Sequence, residues 1–380
     1  MPQFEEAELR ALIDAGGVCA FSVDTNVFHR HGYNLEASAL VALGQFTARG
    51  IAHVVTDIVV REVCLHAAEV IEKASSDLKN ALRRYGKTRR ERDEQAAAAV
   101  AGLGLDEHIA ETVARRWDDF ARQTSAEVLA ASALVNADTL VSMYFNATPP
   151  FERSGEKKAE FPDAIALLEL EKFGERAGRH VLAVSRDAGW AAFASEARWL
   201  IVLGDLPQAL ALFNRAAGAV ADRVSVLLDT PESALFDQVI SSLSNHVDDL
   251  RPEIDAESYM EITTEFAGAE IANPQEIRFG RPAVIESDDD TVTLAIDAAI
   301  PVLVRADFAF YVHDSIDDDY LGMGSNEEER SINMTVPLTL VVSRGVDEDA
   351  GAREIRIEQL KPQAVEFGYV EPSGWRDEDN

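Results

Sequence analysis

"CAFSVDTNVF" (Cys19 to Phe28) decides how the first half of this chain is read. A run of apolar and small residues stops on Asp24, followed by Thr25 and Asn26. A carboxylate taken out of water without a partner is costly enough to force a pKa shift. The run therefore predicts a buried strand, with Asp24 either at its edge or facing a counter-charge.

Reading outward, further apolar runs of strand length occur at "IAHVV" (51–55), "HVLAV" (180–184) and "WLIVL" (199–203). Between the first two strands lies "ASALVALGQFTARG" (37–50), with Leu40, Leu43 and Phe46 at three-residue steps and Gly50 as a helix stop. Short apolar runs alternating with helical segments predict an α/β domain with a central parallel sheet over residues 1–230. The long interval before "HVLAV" is rich in Ala, Glu, Arg and Leu and reads as a large helical insertion over about residues 63–145.

After Thr230 the texture changes. "LLDTPESALFDQVISSLSNHVDDLRPE" (227–253) reads as one amphipathic helix, with a linking helix at about 231–247. "YMEITTEF", "TVTLAIDA", "VLVRADFAFYV", "SINMTVPLTLVV" and "REIRIEQL" then alternate with period two between acidic turns. Residues 231–380 are thus predicted to be a mostly antiparallel, β-rich domain.

A chain of 380 residues is longer than one core usually supports, and 47% hydrophobic residues suffice for two. "MPQFEEAELR" has neither a basic nor an apolar leader region, and no run of about 18 apolar residues occurs, so a soluble, cytoplasmic protein with no membrane partner is expected. Cys19 and Cys64 stand in apolar contexts and read as core thiols. The formal charge of −32 is unevenly spread: 25 Lys and Arg face 33 Asp and Glu up to Thr230, whereas 10 face 34 beyond it. The acidity that would repel nucleic acid belongs mostly to the second part.

Four acids stand where ligands bind an open parallel sheet, outside the carboxyl ends of its strands. Asp24 ends the first strand, Glu62 follows the second in "TDIVVREV", Asp163 opens the helix of "EFPDAIALL", and Asp187 follows a strand in "SRDAGW". Each alone has an ordinary use in a turn or a first helical turn. Together they would repel one another unless a cation neutralised them, and hard divalent ions such as Mg²⁺ or Mn²⁺ prefer oxygen ligands.

The ordered set "FSVDTNVF", "TDIVVREV", "KKAEFPDAIALL" and "LAVSRDAGW" resembles the PIN-domain nucleases, most closely a bacterial PIN-like group with a long helical insertion between the second and third acidic motifs. The resemblance covers about residues 17–215. It implies a PIN-like three-layer fold and a metal-dependent endoribonuclease, with Asp24, Glu62, Asp163 and Asp187 holding Mg²⁺ or Mn²⁺ as the catalytic and metal site. Asn26 matches a polar position often seen two residues after the first aspartate, and Ser185 the Ser or Thr often found two before the last. Many PIN domains pair, which makes a homo-oligomer a candidate assembly.

The chemistry agrees. Metal ions held by carboxylates can activate water, neutralise the growing phosphoryl charge and assist the leaving oxygen, so no Ser, Cys or His nucleophile is required. Glu160, three residues before Asp163, reads as an outer ligand or a helix-start charge, and Lys157 and Lys158 as phosphate contacts or solvated loop lysines. "LKNALRRYGKTRRERDE" (78–94) offers Arg83, Arg84, Lys87, Arg89 and Arg90 as an RNA-binding ridge, against the plainer reading of a solvated helix face. The acidic second domain would serve a protein partner or restrain that basic segment. Two other readings stand beside the nuclease: a non-catalytic RNA- or protein-binding module on the same fold, and an aspartyl phosphatase suggested by "VDTN". The latter is the weaker, since Asn26 stands where a titratable acid is needed. GxGxxG, P-loop, HExxH and GxSxG motifs are absent.

Overall fold

A computed structural model gives the fold and describes residues 4–89, 102, 108–153, 160–250, 252–314, 319–358 and 364–373, with side chains left out at 83–89, 250, 314 and 319. The chain divides into two compact units, Met1–Ala209 and Leu210–Asn380.

The first unit is built on a five-stranded sheet in the order β3-β2-β1-β4-β5, formed by Val18–Val23 (β1), Ala52–Thr56 (β2), Glu127–Leu129 (β3), His180–Val184 (β4) and Leu200–Leu203 (β5). Every pairing is parallel. All six residues of β1 are buried, as expected of a central strand covered on both faces. The core on one face joins Ala20, Val54, Val181 and Ala183 of the strands to Leu167 and Leu170 of helix Phe161–Ala177 and to Trp190.

Because the strands run the same way, their carboxyl ends share one edge, and helices that follow a strand begin there. Thr25–Arg30, Asp57–Arg89 and Ala188–Glu196 start directly after β1, at the end of β2 and after β4. Helix Phe161–Ala177 returns towards the start of β4, so its first turn, with Pro162 among its opening residues, lies at the same edge.

Three expectations need correction. The insertion is not wholly helical, since β3 pairs with β2 through Val54 and Glu127, Val55 and Val128, and Thr56 and Leu129. Three residues are too few to show a period, and only Leu129 is buried. The segment 37–50 is also not one helix: Ser38–Val41 and Gln45–Ala48 flank a tight turn, Ala42–Gly44. A Cβ on Gly44 would sit 3.1 Å from the Gln123 carbonyl, a tight approach that a larger residue could make only if that backbone gave way by a few tenths of an ångström. Finally, 227–253 holds the end of one helix, Gly218–Leu228, and a second, Ala234–His246. Ser233 separates them, its hydroxyl donating to the Leu227 carbonyl at 2.7 Å and accepting from Phe236 N–H at 3.0 Å.

The second unit carries a sheet in the order β12-β11-β10-β7, with β8 and β9 also paired to β10, from strands Glu261–Ile271 (β7), Arg278–Phe279 (β8), Ala283–Ser287 (β9), Thr291–Asp314 (β10), Asp319–Ser343 (β11) and Glu354–Ile357 (β12). All these pairings are antiparallel. Glu253–Glu257 (β6) and Ala364–Tyr369 (β13) form a separate parallel pair. Val224, Leu227 and Leu228, and Leu235, Val239 and Leu243 of the next helix, are buried in one core with β10 and β11. The helix expected to link the domains is therefore a core element of this unit, and the boundary lies at 209/210 rather than 230.

Candidate metal centre

Asp24 caps helix Thr25–Arg30 and is only 6% exposed. Donors surround it: Thr25 N–H donates to Oδ1 at 2.6 Å, while the Asn26 amide and the Ser185 hydroxyl, the latter at 2.7 Å, both donate to Oδ2. Asn26 also donates to Ser185 Oγ at 2.9 Å, so these two residues, from the ends of β1 and β4, fix one carboxylate between them. Asn26 donates to Asp24 through an amide that has no titratable proton, so it cannot be the general acid a phosphatase would need there. Even so, the Asp24 carboxyl is pushed up from 3.8 to about 7. Burial is the main cause and the nearby charges of Asp163 and Glu62 add to it, against the Ser185 and Thr25 donors.

Glu62 lies in the second turn of helix Asp57–Arg89, where its Oε2 accepts from the Thr25 hydroxyl at 2.6 Å. Thr25 thus ties Glu62 to the cap that holds Asp24. No sequence signal singled out Thr25 beyond its place beside Asp24.

Across the edge, Glu160, Asp163 and Asp187 each offer a carboxylate oxygen, all within 4.8 Å of one another. Asp187 caps helix Ala188–Glu196, its Oδ1 accepting from Gly189 N–H at 2.6 Å and Trp190 N–H at 3.1 Å. Ser185 Oγ accepts from Asp187 N–H at 3.0 Å, linking this aspartate to the Asp24 group. The Trp190 indole N–H donates to Asp163 Oδ1 at 3.3 Å. Glu160, read from sequence as an outer position, stands inside the three-carboxylate group. It precedes the first turn, whereas Asp163 lies within it, so the chain entering the helix brings the two together.

An all-oxygen donor set, partly buried and converging from separate elements, fits a hard divalent cation such as Mg²⁺ or Mn²⁺. Elsewhere on the first unit, Arg30 and Arg186 both reach Asp205 Oδ2, at 3.0 and 3.3 Å. Asp205 lies just past the end of β5, on the same edge. Of the sequence-derived phosphate contacts, Arg90, Lys157 and Lys158 lie outside the described residues, as do the side chains of Arg83, Arg84, Lys87 and Arg89.

A second buried acid stands apart from this group. Glu169, on the helix that carries Asp163, has no exposed surface, and burial together with neighbouring Asp57 raises its carboxyl to about 8. Asp57 in turn pairs with Arg61 at 2.9 Å.

Fold and site define an α/β domain with acids gathered at the carboxyl edge of a parallel sheet, the architecture of a nuclease fold. Residues 22–190 match the family model described as PIN domain, and this segment of the chain belongs to the PIN-domain family. The match spans Asp24, Glu62, Asp163 and Asp187. No curated protein and no solved structure matches the chain significantly. Among the described residues, no helix is long and apolar enough to cross a membrane.

Proposed function

We propose that the first unit is a metal-dependent endoribonuclease, with Asp24, Glu62, Asp163 and Asp187 as its catalytic carboxylates and Glu160 as a further metal ligand. The convergence of Glu160, Asp163 and Asp187 within 4.8 Å carries this reading, with the buried Asp24 beside them. A bound Mg²⁺ or Mn²⁺ would supply Lewis-acid stabilisation of the phosphoryl oxygens and an activated water. The chain's own part is to hold five carboxylates against their repulsion. Asn26, Ser185 and Thr25 do so for Asp24 and Glu62 through the hydrogen bonds described above.

The RNA-binding role belongs to the same proposal and rests on the local basicity of Arg83, Arg84, Lys87, Arg89 and Arg90, with Lys157 and Lys158 beside Glu160 in sequence. The test is cleavage of end-labelled RNA, with single-stranded DNA in parallel, by the purified full-length chain. RNA should be cut internally with Mg²⁺ or Mn²⁺, not cut in EDTA, and cut again when metal is returned. Tight RNA binding without cleavage at any metal concentration would favour the binding-module reading, and cleavage that persists in EDTA would remove the metal from it.

A further inference from the structure

The geometry points to Trp190 as a positioning residue for the metal ligands: its backbone N–H holds Asp187 and its indole N–H holds Asp163, so one residue sets the spacing of two carboxylates. The inference rests on the metal-site reading above.

Trp190 is 1% exposed and packs with Leu167, Leu170, Val181 and Ala183 under the sheet. A buried indole needs an acceptor for its N–H, and many find a carbonyl. Here the acceptor is Asp163 Oδ1 at 3.3 Å, while the main chain of the same residue donates to Asp187 Oδ1 at 3.1 Å. Both bonds go to carboxylates that, with Glu160, lie within 4.8 Å of one another. Bonds from N–H to a carboxylate are charge-assisted and strongest when the acceptor is ionised, the form a metal ligand must take. The indole is anchored in the buried core, so it cannot follow Asp163 if that side chain swings towards solvent. Partners behind metal ligands typically change affinity about 10–100-fold when removed. A tryptophan that only fills the core would leave metal affinity untouched.

The test uses the full-length chain. Its four tryptophans give a small set of indole N–H resonances, and that of Trp190 can be assigned by backbone connectivity. Titration with Mg²⁺ should shift this resonance, and Asp163→Asn should abolish the shift. Trp190→Phe keeps an aromatic core side chain and the backbone bond while losing the indole donor. It should weaken Mn²⁺ binding, read by electron paramagnetic resonance, about tenfold or more, with cleavage recovering at high Mn²⁺. A Trp190 resonance unmoved in a chain that binds Mg²⁺ overturns the inference and leaves the metal site standing, even if Trp190→Phe does not fold. Unchanged Mn²⁺ affinity in folded Trp190→Phe does the same. A parent chain that binds neither ion overturns both.

Discussion

Asp24 in the first unit and Asp307 in the second are both aspartates with carboxylates for neighbours, yet their surroundings differ. Asp24 is 6% exposed, with donors from Thr25, Asn26 and Ser185 and the charges of Glu62 and Asp163 nearby. Asp307 sits on β10 directly opposite Glu265 of β7 and Glu327 of β11, and all three side chains are exposed. The second part of the chain holds most of the net negative charge, but its row of acids faces water, which screens it. The first part holds less and gathers it where water is scarce. Counting charge alone would direct attention to the second part; desolvation and convergence direct it to the candidate site in the first.

The strongest way to break that contrast is to neutralise two aspartates of the first unit and one of the second, each singly. Asp24→Asn and Asp187→Asn should each lower RNA cleavage by about 10²-fold or more, the scale of losing one preorganised electrostatic group, while Asp307→Asn stays within about twofold of the parent. Comparable losses from Asp307→Asn would show that the two acidic groups are not functionally distinct.

Changing pH sharpens the comparison further. Asp24 and Glu169 both have folded pKa values above their ordinary ones, about 7 and about 8. In metal-free protein the stability from these protons is complete below the unfolded values, near pH 4, and is lost as pH rises through about 7 for Asp24 and about 8 for Glu169. Urea denaturation followed by tryptophan fluorescence in EDTA should thus show the first unit weakening from about pH 5 to about pH 9. Glu169→Gln, which mimics the protonated acid, should flatten that slope and stabilise the unit at about pH 9 by about 1–2 kcal/mol. Metal affinity should run the other way and rise with pH through about 7, because ligands bind metal ionised. A first unit whose stability is level across that range would mean that these carboxyls are charged throughout.

The sheet of the first unit was legible because β1, β2, β4 and β5 are mostly apolar, interrupted at Ser22, His53, Thr56 and His180, the signature of strands buried on both faces. β3 was not, being three residues at an edge with one inward side chain. The boundary at 230 was set by a shift in composition, but the helix before it is apolar towards the core of the following sheet, a partnership that period alone does not reveal. At the candidate site, the acids announced themselves through their places after strands and at helix starts. Thr25 and Trp190 did not. A threonine next to a cap and a tryptophan in a helix are ordinary residues, and their contacts to Glu62 and Asp163 exist only once separate segments are folded together. Thr25→Val keeps the shape and removes that donor, and should weaken Mn²⁺ binding about tenfold; an unchanged affinity would make the Thr25 bond incidental.

Arg30 and Arg186, paired with Asp205 past the end of β5, test whether cations on that edge of the sheet meet phosphate. Changing both to Gln should raise the KM for RNA several-fold and reduce its dependence on salt, since each phosphate contact releases counterions. Unaltered KM and salt slope would leave them the structural role of holding Asp205.

The smallest effect belongs to the second unit. In register across three strands, Asp307 meets a like charge on either side, a pairing that costs a few tenths of a kcal/mol or more per neighbour. Asp307→Lys turns two repulsions into two attractions without touching the core, because the site is on the water-facing side of β10. Stability of the strand, read from hydrogen exchange of β10 amides near residue 307, should rise by about 0.5–1.5 kcal/mol at low salt. The gain should shrink in about 1 M salt, where the Debye length falls to about 3 Å. A gain that survives high salt would mean that the introduced lysine stabilises by packing its stem, and a loss would mean that the three carboxylates are held together by something other than the strands, as the first unit's acids are. Either result would bring the two acidic groups closer than their exposure suggests.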